Sequence, residues 1–128
     1  MILSPYEEKR IGRTTLSQSD IQYFRNRYGK RFIRALRAVE EDKVVQYHFF
    51  PSDSITWIVK GSARQYLVIP DTYCTCRSFY QDVVIAGAYK FCYHLLAQSI
   101  AEIRNQFTAR KSNDAERRIL YDKWRRTD

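Results

Sequence analysis

An α+β fold is predicted by three observations. Strand-like runs are joined by short links, amphipathic helical stretches flank them, and a paired cysteine–histidine pattern sits between the last strand and the next helix. In chain order this gives an N-terminal helix, a three-stranded antiparallel meander, a metal site joining the sheet to a second helix, and a basic C-terminal helix. At 128 residues and 45% apolar content the chain has enough material for one modest core and lies outside the composition of disordered proteins.

The first 16 residues are polar, without periodicity, and carry Pro5 and Gly12, so they read as a tail. Ser17 to Asp20 offers N-cap residues for the helix that follows. At 100° per residue, Ile21, Phe24, Tyr28, Phe32, Ala35, Leu36 and Val39 share one face of a single helix, with Gly29 a mild cost inside it. Arg27, Lys30, Arg31, Arg34 and Arg37 share the opposite face. Runs of β-branched and aromatic residues at Val44–Phe50, Ile55–Lys60 and Arg64–Ile69 predict strands. Pro51 to Ser54 and Gly61-Ser62 separate them, and links this short favour antiparallel pairing. A loop through Gly87 leads to a second helix with Leu96, Ile100, Ile103 and Phe107 on its apolar side. A third helix starts near Ser112-Asn113-Asp114, where Glu116 has capping-box spacing to Asn113. It runs past Ile119 and Leu120 to Trp124, with Arg117, Arg118, Lys123, Arg125 and Arg126 alongside.

Cys74-Thr75-Cys76 and Cys92-Tyr93-His94 are separated by 15 residues, Arg77 to Phe91. They use all three cysteines and one of the two histidines. Each pair sets two soft ligands two residues apart, and the four together make a Cys₃His set, the closed tetrahedral geometry of structural zinc. The competing readings are buried free cysteines acting as small hydrophobes, or a redox dithiol. The latter normally has two intervening residues rather than one. Four protein ligands leave no coordination position for water or substrate, so the expected role of Zn²⁺ is to fold the chain.

The formal net charge is +8 and the pI about 9.6, the footprint of a protein that meets a polyanion. Six basic residues and no acidic one lie between positions 21 and 39, so Arg27, Lys30, Arg31, Arg34 and Arg37 are the candidate DNA contacts. A solvated helix face is the plainer reading. Trp57 and Trp124 could anchor a partner protein or fill the core. His48 and the acidic run Glu40 to Asp42 lack catalytic spacing, and the Gly-rich Lys-Ser/Thr loop of nucleotide hydrolases is missing, so no enzyme is expected. No apolar run could span a bilayer, and the N-terminus lacks a basic-then-apolar signal. A protein kept inside the cell, without membrane contact, is expected.

Cys-x-Cys, a variable gap and Cys-x-His resembles the SWIM zinc-binding pattern. The likeness includes the preceding hairpin from Trp57 to Ile69, Ser78-Phe79 after the first pair, and His94-Leu95-Leu96-Ala97. Among SWIM proteins the chain resembles the SWIM subunit of the Shu recombination complex, a group with an alanine three residues after the histidine, here Ala97. The run from Tyr28-Gly29-Lys30-Arg31 to Ala35-Leu36 is similar in kind to the helix preceding the motif in that group. The likeness covers roughly residues 20 to 107 and divides the chain into the tail 1–16, a SWIM domain with its leading helix over 17–110, and the C-terminal helix 111–128. It implies a ββα zinc fold and a recombination-mediator role beside a RecA-type recombinase paralogue, which would supply the ATP site. A pure protein–protein adaptor is the alternative.

Overall fold

The computed structural model describes residues 2–125. The expected tail contains a helix, α1 (Pro5–Ile11). Ser4 caps it by accepting the Glu7 N–H at 3.2 Å, while the Glu7 carboxylate accepts the Ser4 N–H at 3.1 Å. Leu3 and Ile11 enter the core, and Arg104 donates to the carbonyls of Ile11 and Arg13 at 2.8 and 2.9 Å. A two-point apolar anchor in a polar stretch leaves almost no periodicity to read, which is why this helix is hidden in the sequence.

Ser17 is the N-cap of α2 (Gln18–Tyr28), with Asp20 completing its capping box. Asp20 is buried, accepting from Arg10 Nε at 2.6 Å and Arg13 Nη1 at 3.0 Å. The Arg10 hydrogen bond, then that from the Ser17 backbone, lowers its carboxyl from 3.8 to about 2. An acid held below its ordinary value stabilises the fold above about pH 4, and that contribution is lost as pH falls through 2. Asp20→Asn will therefore lower Tm at pH 7, and the gap to wild type will narrow as pH falls below about 4.

The single helix expected over 21–39 is two. At Gly29 the backbone takes φ 67° and ψ −146°, ending α2 and starting α3 (Lys30–Glu40). A Cβ there would meet no atom within 4 Å, so the demand on glycine is conformational only. Gly29→Ala will destabilise the protein by about 1–3 kcal/mol in denaturant titrations. The apolar stripe survives the break because Phe24 and Phe32 stack across it, centroids 5.0 Å apart.

The meander is present as β1 (Val44–Phe50), β2 (Ser54–Lys60) and β3 (Gln65–Ile69), extended by the short β4 (Tyr73–Cys74). A fifth strand, β5 (Thr108–Asn113), pairs parallel to β1, giving the order β4-β3-β2-β1-β5. In the expected division these residues straddle the boundary between 17–110 and 111–128. A polar edge strand carries little β signal of its own, since one neighbour and solvent satisfy it.

Register sorts the side chains into two cores. Val44 opposite Val59, and Trp57–Val68–Cys74 across three strands, face α3 and α4 (Tyr93–Arg104). Val45–Ile58–Leu67, with Phe49, face the other way onto α5 (Asp114–Trp124). Asn113 caps α5 by accepting the Glu116 N–H at 2.8 Å. Trp124 is fully buried and donates from Nε1 to Gln65 at 2.9 Å. Trp57 is buried too, so both tryptophans serve the cores, which removes them as partner anchors. Phe107 lies beyond the end of α4 and packs edge-on against Trp57 at 4.8 Å. Ile119 on α5 is 73% exposed. Met1 and residues 126–128, including Arg126, lie outside the described residues. No helix among the described residues is long and apolar enough to cross a membrane.

Candidate metal centre

Three stretches of chain converge on one point. Cys74 ends β4, whose pairing with Val68 turns its side chain toward α4. Cys76 lies two residues on, before a π-helical segment, Phe79–Ile85, that replaces part of the expected loop. Cys92 is the N-cap of α4 and His94 sits in its first turn. All four are buried, and their ligand atoms lie within 4.8 Å of one another. Tetrahedral zinc with bonds of about 2.3 Å to sulfur separates its thiolates by about 3.8 Å, so the donors are spaced for one shared ion.

The surroundings call for a cation. Neither ring nitrogen of His94 has a hydrogen-bond partner, although the residue is only 4% exposed. A buried unpaired imidazole is costly unless a metal takes one nitrogen. The Cys76 thiol is held well below the ordinary value by hydrogen bonds from Cys74 and Cys92. Cys74 is pushed far up by sharing hydrogen bonds with Cys76 and then Cys92, and by burial. Cys92 is lowered by Cys74 but raised more by Cys76 and burial, and ends at about 12. Zn²⁺ replaces the protons and leaves three thiolates and one dication, a net charge of −1.

Three contacts that the sequence pattern does not show hold the ligands in place. Thr75, between the first two cysteines, is pinned to β3: its Oγ1 accepts the Leu67 N–H at 3.1 Å and its own N–H donates to the Leu67 carbonyl at 3.1 Å. The Phe79 N–H donates to Cys76 Sγ at 3.2 Å, stabilising thiolate charge. The His94 ring packs against Tyr66 and Tyr93, centroids 4.4 and 4.0 Å away. Ala97, one turn into α4, is fully buried with Ala101, Ala35 and Ala38 in the core shared by α3 and α4. Small residues there let the ligand-bearing helix approach its neighbour closely.

The candidate DNA contacts are placed unevenly. Arg27, on α2, pairs through Nε with Glu7 at 2.9 Å. Arg31 donates to the Phe91 carbonyl at 3.1 Å and stacks on Tyr89 at 3.5 Å. Arg34 lies over the Tyr93 ring at 4.0 Å and stays exposed. Lys30 and Arg37 are exposed on the same side of α3, at spacings of four and three from Arg34. His48 is paired with Asp53 and packed on Phe50, remote in sequence from the cluster.

The fold and its four buried donors define a small α+β domain organised around structural zinc. A protein of Dictyostelium discoideum described as "Zinc finger SWIM domain-containing protein 7 homolog" is 23% identical over 104 residues, 80% of this chain and 67% of that protein. No family model matches the chain, and no solved structure gives a significant match. With Cys-x-Cys, the gap and Cys-x-His gathered in space, the pattern and the site are consistent with a SWIM-type zinc domain.

Proposed function

We propose that this SWIM-type zinc protein is a non-catalytic DNA-contacting module, kept inside the cell, that works beside a RecA-type recombinase paralogue in homologous recombination. The observation that carries the reading is the outer side of α3. Lys30, Arg34 and Arg37 are exposed there at helical spacing, and no acidic residue interrupts them before Glu40. The inner side of the same helix is locked onto α4, which bears two zinc ligands, so the charges stand on a rigid support. Four protein donors leave no open metal position, which favours a structural role for the ion. Resemblance to the Shu-type group supplies the recombinase partner and its nucleotide site.

Anisotropy titrations of labelled single- and double-stranded DNA against zinc-loaded protein at several salt concentrations test this. Micromolar or tighter binding with a steep salt slope supports it. Absent binding at low salt favours a pure protein–protein adaptor. That second reading is favoured by Tyr80, Val84 and Ile85 of the π-helical segment, apolar side chains that are 57%, 58% and 65% exposed.

A further inference from the structure

A cleft of about 560 Å³ opens between the N-terminal residues 2–7, the α2–α3 junction and the loop 88–91 that leads into Cys92. Its volume is in the range of sites that take a single small organic group. Three cations, Arg27, Arg31 and Lys90, and one carboxylate, Glu7, line it. Glu7 is 2% exposed and already saturated, accepting from Tyr28 Oη at 2.8 Å and the Ser4 N–H at 3.1 Å while paired with Arg27 at 2.9 Å. That pairing cancels Arg27 and, among the described residues, leaves the charges of Arg31 and Lys90 without a counter-charge in the cleft.

Arg31 is held in a particular way. One of its five N–H donors is spent on the Phe91 carbonyl, and the guanidinium plane rests on Tyr89, 3.5 Å from the ring centre. Donors remain for an anion, while Tyr89 keeps 47% of its surface open. Positive charge for a phosphate and an exposed ring for a flat π-system therefore stand side by side in one concavity. An acidic peptide would use the charge and leave the ring idle. A duplex would present phosphates but keep its bases stacked inside, out of reach of a ring in a cleft.

We propose that this cleft holds one nucleotide of a single DNA strand, its phosphate on Arg31 and Lys90 and its base against Tyr89. The inference rests on the proposed DNA contact by α3 and deepens it, because α3 contributes Arg31 and the outer stripe of the helix would carry the neighbouring phosphates. The zinc site takes part indirectly: Tyr89, Phe91 and Tyr93 flank the ligand Cys92, so the loop that supplies the ring is tethered by the metal.

The test compares wild type, Tyr89→Ala, Tyr89→Phe and a Lys30→Glu/Arg34→Glu/Arg37→Glu triple variant, all checked for zinc content and circular dichroism. Each is titrated with a labelled oligothymidylate and with a duplex of equal length. Tyr89→Ala should weaken single-strand binding about 5- to 100-fold, as loss of one stacked base does, with duplex affinity unchanged. Tyr89→Phe should bind as wild type, and the triple variant should weaken both ligands. Unaltered single-strand affinity in Tyr89→Ala, or equal loss on single strand and duplex, overturns the nucleotide cleft while the α3 reading stands. Competition by polyglutamate at the same charge concentration as oligothymidylate would make the cleft a general anion site and also overturn it. No salt-dependent binding of either DNA by wild type overturns the α3 reading itself and the cleft with it.

Discussion

Cys76→Ser will yield a protein without stoichiometric zinc and without a compact fold. Cys76 is one of the four gathered donors, and its sulfur accepts the Phe79 N–H at 3.2 Å. Serine offers a hydroxyl that does not ionise near neutral pH and is a poor zinc ligand. The consequence is global because the ion joins β4 to α4. Eight consecutive residues of that helix, His94 to Ala101, are buried against α3 and the sheet. Structural zinc contributes about 10–16 kcal/mol of apparent binding free energy, against a total stability of about 5–15 kcal/mol for a domain. Zinc analysis and near-ultraviolet circular dichroism of the purified variant check this. A metal-free variant with native near-ultraviolet signal would sink the assignment of a structural role.

Reversing the charge at Lys30, Arg34 and Arg37 together should weaken DNA binding on the order of 100-fold at low salt. It should also cut the slope of log affinity against log salt by about 2.7 on duplex DNA, the loss for three phosphate contacts. The choice of residues follows from the structure. Arg27 and Arg31 share the arc drawn from sequence, but one holds Glu7 and the other holds the loop before Cys92. Replacing them would confuse loss of a DNA contact with loss of packing. If the triple variant binds DNA as wild type does but loses affinity for a recombinase-type partner, the basic stripe is a protein-docking surface.

What could be read from the residues, and what could not, divides by range of interaction. The metal ligands were legible because zinc demands specific side chains at specific spacing, and the four donors do meet. The meander was legible because β-branched alternation and short links are local signals, and β1 runs over the predicted Val44–Phe50. The helix α1 was not, since its stability comes from Leu3 and Ile11 reaching a distant core and from Arg104, 91 residues beyond Arg13. Strand β5 was not, because its pairing with β1 is non-local and its residues are polar. Composition marks Gly29 only as a helix cost, and the backbone shows that it takes a positive φ and divides the helix. At the site itself, Thr75 and the Phe79 N–H act through geometry, which the ligand pattern leaves unsaid.

Cys74, Cys76, Cys92 and His94 are placed to hold one structural zinc ion. Metal analysis combined with zinc X-ray absorption on the purified chain tests it most directly. One zinc per chain is expected, with three sulfurs at about 2.3 Å and one nitrogen at about 2.0 Å. A folded, metal-free protein, or a zinc shell made of oxygen and nitrogen without sulfur, would contradict it.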